Sequence, residues 1–164
     1  MSKPFRAALS MLSQSHIEVN LDTVKIAFDI ESSDYSCPMG VQILLDNTVL
    51  ITAPHLQEKL SFSHDLTNND GEHTLNIVIS GKTPEHTEIN DNGHIVKDAT
   101  ITVSNISVDT IDINQLFLEK CVYTHDFNGT QPKIEDSFHG IAGCNGVISF
   151  EFTTPMYMWL LVNM

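Results

Sequence analysis

The chain has 164 residues, with 8 Lys and Arg against 21 Asp and Glu, so its formal net charge at pH 7 is −13. A chain of this length is expected to fold as one domain around its own hydrophobic core, without help from disulfides or a metal. The negative charge repels phosphate backbones and anionic lipid head groups, which argues against nucleic acid and membranes as partners.

The chain begins with a short arm, residues 1–14, ahead of a single predicted domain at 15–164. Phe5, Leu9 and Leu12 recur at helical spacing in this arm, so we predict that it is helical and docks on a partner protein. Packing of the arm on its own domain, or disorder, is the alternative. Polar residues interrupt its apolar run, so we expect no export signal.

Alternating apolar residues predict strands along almost all of the remaining chain. Residues 23–31 place Val24, Ile26, Phe28 and Ile30 on one face, and later segments repeat this pattern. Asp46-Asn47 reads as a hairpin turn. The apolar phase changes between residues 103 and 106, which predicts a bulge near Asn105.

Two segments near the end of the chain complete the predicted plan. Leu116 and Leu118 alternate and suggest another strand, and the segment 155–164 has apolar residues on both faces, which predicts a strand buried on both sides. Many short strands with almost no helix are typical of an all-β, antiparallel β-sandwich or jelly roll.

The three cysteines and eight histidines show no recognised metal-binding or catalytic spacing. Cys37, Cys121 and Cys144 are odd in number and lack a CxxC pair, which argues against a disulfide framework and a zinc site. The histidines contain no HExxH, and no sequence signature of a nucleophilic enzyme occurs. We therefore predict no catalytic residues and no enzyme, with a cupin-like histidine metal site as a remaining alternative.

Two acidic loops offer oxygen ligands, which are the ligands that calcium prefers. The stretch 65–72 contains Asp65 and Asp70, and the stretch 88–98 begins like an EF-hand loop but has Ala99 where a bidentate acid is required. Asn, Asp and Gly also dominate ordinary hairpin turns, which is the simpler interpretation of both loops. The prediction is therefore no cofactor and no assigned metal ligand, with calcium as the alternative.

Few aromatic side chains are available for stacking on sugars. Trp159 lies in the apolar segment near residue 160 and is predicted to be core, whereas Tyr35 and Tyr123 are the better surface candidates.

The order of strands between Val24 and Ile113 resembles the calcium-dependent xylan-binding type of carbohydrate-binding module. The resemblance lies in VKIAFDIE, GVQILLDNTVL, GEHTLNIVISGK and ATITVSNISVDTIDI with their acidic turns. It implies a small β-sandwich in which calcium and sugar hydroxyls meet at one loop site, although no ligand position of that family aligns here.

The remainder, from CVYTHDFNGT through GIAGCNG to MYMWLLVNM, resembles small β-rich structural proteins of tailed bacteriophages. This resemblance implies a protein made in the host bacterial cytoplasm and located in the virion. We accordingly predict a noncatalytic structural protein of the virion that belongs to the capsid decoration, the tail or a fibre. Its predicted partners are other virion proteins in an oligomeric assembly, and host glycans are predicted as further ligands. The alternative is a calcium-assisted carbohydrate-binding module for cell-surface or plant polysaccharide.

Overall fold

The computed structural model describes residues 22–164, which are mostly strands. The strands are β1 (Thr23–Ser32), β2 (Gly40–Leu45), β3 (Thr48–Ala53), β4 (Leu60–Thr67), β5 (Gly71–Ser80), β6 (Thr87–Ile89), β7 (Ile95–Asp98), β8 (Ile101–Val108), β9 (Ile111–Asp112), β10 (Val122–His125), β11 (Ile134–Ser137), β12 (Ile141–Ala142) and β13 (Gly146–Thr154). The helices are a 3₁₀ turn (Pro84–His86), α1 (Asn114–Lys120) and α2 (Met156–Asn163).

The strands form two principal antiparallel sheets. The first has the order β12-β8-β1-β4, with β9 paired to β8, and the second has the order β11-β10-β13-β5-β2-β3. A separate hairpin joins β6 to β7. The inner faces of both principal sheets contribute to one hydrophobic cluster, so the predicted all-β antiparallel sandwich is confirmed.

The core follows from the alternation of side chains along each strand. Val24, Ile26, Phe28 and Ile30 of β1 are at most 1% exposed, as the period-two pattern predicts. Leu75 and Ile77 are buried on β5 and Phe150 on β13, and the ring of Phe117 from α1 lies 4.9 Å from that of Phe150. Each such side chain stabilises the fold by roughly 1.5–3 kcal/mol relative to its exposed state.

Two predicted irregularities are present. Asp46 and Asn47 both have positive φ, 50° and 65°, between β2 and β3, as a two-residue hairpin turn requires. The register between β1 and β8 shifts between Ala27 and Asp29, and Asn105 has a φ of 54° and donates a side-chain hydrogen bond to Asp29. The bulge near Asn105 is therefore confirmed.

Two predicted strands are wrong, because both segments are helices. Residues 114–120 form α1, which buries the adjacent side chains Leu116 and Phe117, whereas a strand would point them to opposite faces. Residues 156–163 form α2, which buries Met156 and Leu160 at a spacing of four. An apolar run without alternation fits a helix as well as a doubly buried strand, and here the helix packs on β13.

The predicted arm, with Phe5, Leu9 and Leu12, lies outside the described residues. In the part of the chain from 22 onward, no helix is long and apolar enough to cross a membrane.

Candidate functional site

A polar groove lies beside the second half of β13. β10 pairs with β13 only between Gly146 and Ser149, whereas β5 pairs with β13 as far as Thr154. Side chains from α1 and α2 border the part of β13 that β10 leaves uncovered, and the groove has a volume of about 420 Å³. The polar side chains that line it are Glu72, His73, Thr74, Lys120, Glu151, Thr153 and Asn163.

The register of β5 and β13 places two carboxylates and two hydroxyls on one face of the sheet. Glu72 lies opposite Thr153, and Thr74 lies opposite Glu151, so the two acids are diagonal neighbours. Both glutamates are exposed. Carboxylates accept hydrogen bonds and the threonine hydroxyls donate and accept them, so this face can bind a ligand rich in hydroxyl groups.

Trp159 forms an aromatic wall of the groove. Its ring meets the rings of Phe150 and Phe152 edge-on, with centroids 5.6 Å and 6.4 Å away. The indole is half-buried and borders the groove, so it is not solely a core residue as the sequence suggested. Asn163, one turn further along α2, donates its amide N–H to the Trp159 carbonyl at 2.8 Å.

His73, which also lines the groove, belongs to a chain of hydrogen bonds that extends away from it. His73 Nδ1 lies 2.7 Å from Asp46 Oδ2, and His73 Nε2 lies 3.0 Å from the Thr154 hydroxyl. The Thr154 hydroxyl donates to the carbonyl of Asn69. These bonds connect His73 of β5 to the turn between β2 and β3 and to the end of β13.

The Asp46 carboxylate is held in its charged form at this position. Burial acts to raise its pKa, but hydrogen bonds from His73 and from the Thr74 N–H outweigh burial and leave the pKa below its usual value. A catalytic triad connects an acid, a histidine and a hydroxyl in the same way as the hydrogen bonds connect Asp46, His73 and Thr154. Thr154 is buried and its hydroxyl proton is engaged by Asn69, so the arrangement holds β5 and β13 together and does not aim a nucleophile into the groove.

The first predicted calcium loop has structural hydrogen bonds. It connects β4 to β5, the side-chain oxygen of Asn68 accepts the N–H of Met156 at 2.7 Å, and the carbonyl of Asn69 accepts the Thr154 hydroxyl. These oxygens are therefore already bonded within the protein. Glu72, at the end of this loop, is the one member that lines the groove.

The second predicted calcium loop is the turn of the hairpin between β6 and β7. The side-chain oxygen of Asn90 accepts the N–H groups of Asn92 and His94, at 3.0 and 2.9 Å. Asp98 accepts hydrogen bonds from Lys82 and Thr87. Among residues 22–164, no three His, Cys, Asp or Glu side chains group as metal ligands. Calcium binding by this chain stays a prediction, with no ligand assigned among residues 22–164.

Other candidate residues lie apart from the groove. Tyr123 is buried and its hydroxyl donates to the Cys144 carbonyl at 2.5 Å, so its prediction as a surface aromatic is wrong. Burial raises the pKa of Tyr123 to about 12. Tyr35 is half-buried outside the groove. All three cysteines are free, and burial raises the pKa of the Cys144 thiol, which opposes nucleophilic reactivity.

The members of the groove are not related by any local pattern in the sequence. His73 is one of eight dispersed histidines, and Glu151 is one of 21 acidic residues. The groove depends on the pairing of β5 with β13, which are about 80 residues apart, and on helices where strands were predicted.

No family model matches the sequence, and no curated protein matches it. Two solved structures of vCBM60 are similar to this chain. The first is a selenomethionine form of vCBM60, described in a study of calcium-dependent carbohydrate binding modules. It is 15% identical in sequence to this chain, and the alignment covers 77% of this chain and 89% of that chain with a TM-score of 0.48. The other, vCBM60 in complex with galactobiose, has 17% identity, covers 77% of this chain and 96% of that chain, and gives a TM-score of 0.42.

Proposed function

We propose that this chain is a noncatalytic carbohydrate-binding β-sandwich that takes a segment of polysaccharide in the polar groove. The observation that carries the proposal is the combination, in one open groove, of an indole wall at Trp159 with acceptors and donors at Glu72, Glu151 and Asn163. A sugar ring has an apolar C–H face and a polar rim, and this groove offers a partner for each.

The charge of the groove favours neutral sugars. Glu72 and Glu151 oppose a single cation, Lys120, and the whole chain carries a net charge of −13. A polyuronate would bring further carboxylates toward these two acids, and like charges repel. We therefore expect neutral polysaccharides to bind more tightly than polyuronates of the same length.

The role of His73 supports binding rather than catalysis. Its two ring nitrogens are engaged by Asp46 and Thr154, and these bonds fix the end of β5 against β13. The two glutamates extend from neighbouring, paired strands, so their backbone positions are fixed before a ligand arrives, which lowers the entropy cost of binding.

Trp159 provides a direct assay because it is the only tryptophan in the chain. Neutral oligosaccharides built from galactose, xylose or glucose are titrated against the full chain while its intrinsic fluorescence is recorded. Parallel titrations include a chelator or added calcium. A saturable spectral change with one sugar class, confirmed by calorimetry, is the expected result.

The variant Glu151→Gln removes one charged acceptor from the groove without changing its size. A hydrogen bond to a charged group contributes about 1.5–3 kcal/mol, so the affinity should fall roughly tenfold or more. The matched control is Glu135→Gln, which makes the same change on the exposed edge strand β11. Absence of binding by every sugar class, or equal losses in the two variants, would refute the proposal.

Virion assembly is a different function that the described residues do not test. The predicted location in a virion, the virion partners and the oligomeric assembly stay predictions, which mass spectrometry of purified particles would examine. A carbohydrate-binding groove is compatible with that setting, because a virion protein can bind host glycans.

A further inference from the structure

The C-terminal helix α2 presents an uncharged surface to solvent. Leu161 is 77% exposed and Val162 is 81% exposed, and the segment 155–164 contains no charged side chain. One side of the helix forms an apolar cleft of about 490 Å³, which we call the α2 cleft, lined by Ile111, Tyr157, Leu160, Leu161 and Met164. No residue in the range 22–164 covers these exposed side chains, and burying them would remove apolar surface from water.

The described part of the chain starts beside the base of this helix. The carbonyl of Asp22 accepts the backbone N–H of Asn68 at 2.8 Å. The side-chain oxygen of the same Asn68 accepts the N–H of Met156, the first residue of α2, at 2.7 Å. The described chain therefore begins, at Asp22, two hydrogen bonds away from the start of α2.

The length of the preceding chain is sufficient to reach the cleft. Leu12 lies ten positions before Asp22, and an extended chain over ten residue steps spans roughly 33 Å. The eight residues of α2 extend over about 12 Å. A tethered segment also acts at an effective concentration in the millimolar range, which favours it over a second molecule.

The composition of the arm complements the cleft. Phe5, Leu9 and Leu12 supply an apolar stripe at helical spacing. Lys3 and Arg6 are two of only eight basic residues in the chain. Ile111, on the rim of the cleft, lies between Asp109 and Asp112, and Asp109 accepts the Tyr157 hydroxyl at 2.6 Å. Asp109 and Asp112 also accept the backbone N–H groups of Lys25 and Asn114, and their negative charge lies beside the apolar surface.

We propose that the arm, residues 1–14, binds the α2 cleft of its own molecule and places Phe5, Leu9 and Leu12 against its apolar lining. This interaction is independent of sugar binding, because the α2 cleft and the polar groove share no lining residue. It makes the arm an intramolecular cover for α2 and not an anchor for another protein.

Photo-crosslinking of the full chain tests this. Benzoylphenylalanine replaces Leu161 in the cleft, and in a control it replaces Val96, an apolar residue of β7 that is 61% exposed. A dilute mixture of ¹⁴N- and ¹⁵N-labelled protein is irradiated, and cross-linked peptides are identified by mass spectrometry. We expect cross-links from position 161 to residues 1–14 within one isotopic species, and none of these from position 96.

A second variant combines Phe5→Asp, Leu9→Asp and Leu12→Asp with the probe at position 161. The intramolecular cross-link should be lost while circular dichroism remains that of the folded chain. Cross-links that mix isotopes would identify a second copy as the occupant and overturn the proposal. Cross-links to no part of residues 1–14, or cross-links that survive the triple substitution, would overturn it as well.

Discussion

The ion pair of Lys82 and Asp98 offers a quantitative test of the forces that hold one end of the sandwich. Lys82 Nζ lies 2.5 Å from Asp98 Oδ1 and also donates to the carbonyl of Gly143. The two partners differ in burial, because the lysine side chain is 1% exposed and the aspartate side chain is 27% exposed. We therefore predict that removing the acid destabilises the fold more than removing the base.

The magnitudes follow from which charge is left behind. Asp98→Asn leaves a buried ammonium group with neutral partners only, and uncompensated buried charges cost about 3–5 kcal/mol. Lys82→Met leaves a carboxylate that reaches water and still accepts the Thr87 hydroxyl at 2.8 Å. Its cost should be about 1–2 kcal/mol, since the methionine keeps most of the apolar contacts of the lysine stem.

Urea unfolding at pH 7 measures both free energies of unfolding. For a chain of this size, 1 kcal/mol corresponds to roughly 2–4 °C in Tm, so Asp98→Asn should lower Tm by about 10 °C. The control is Lys59→Met, which removes an exposed lysine paired with Asp29 and Glu31 and should leave the free energy of unfolding close to that of the wild type. The reasoning is refuted if Lys82→Met costs as much as Asp98→Asn, or if Lys59→Met costs as much as either.

Three other outcomes follow from the structure. Asp46→Asn should lower the free energy of unfolding at pH 7 by about 1 kcal/mol after allowance for exposure. Because the pKa of Asp46 is lower in the folded state than in the unfolded state, this difference from wild type should decline as pH falls below about 4 and vanish below the folded-state pKa, which urea unfolding from pH 2 to 7 measures. Burial raises the pKa of the Cys121 thiol, so a disulfide reagent at pH 8 should label Cys121 only after unfolding, and labelling in the native state would contradict this. His125→Phe should stabilise the fold by up to about 1 kcal/mol, because the buried Nδ1 of His125 has no hydrogen-bond partner within residues 22–164. Thermal melts measure this effect, and a lower Tm for the variant would refute the argument.

Most of the strands could be predicted because their side chains obey a simple local rule. One face of β1 is buried from Val24 to Ile30, and this period of two is visible in the sequence. The turn at Asp46-Asn47 and the bulge at Asn105 were also local, because both depend on residue types that tolerate positive φ. Local signals of this kind determine the fold class.

The two α-helices could not be predicted because their patterns are ambiguous. α1 has seven residues and buries only Leu116 and Phe117, which is too short to establish a helical period. α2 is apolar except for Asn163 and the hydroxyl of Tyr157, so it shows no polar face from which a period can be recognised. In both segments, packing against strands that are distant in sequence decides the conformation.

The candidate groove could not be predicted because its parts come from separate strand pairs. The diagonal arrangement of Glu72 and Glu151 requires the register in which Thr74 faces Glu151, and no local feature of the sequence specifies that register. The start of β10 at Val122 matters equally, since a β10 that began earlier in the chain would pair with the second half of β13 and cover the edge where the groove now lies.

The helical conformation of the terminal segment has a consequence for both proposed surfaces. In a helix, Trp159 and Asn163 are four residues apart and share one side, and both line the polar groove. Tyr157, Leu160, Leu161 and Met164 share another side and line the α2 cleft. A strand would place Tyr157, Trp159 and Leu161 on a single face and mix these two sets. The helix therefore separates a mixed apolar sequence into one surface that offers an indole to a polar ligand and another that offers aliphatic side chains to an apolar one.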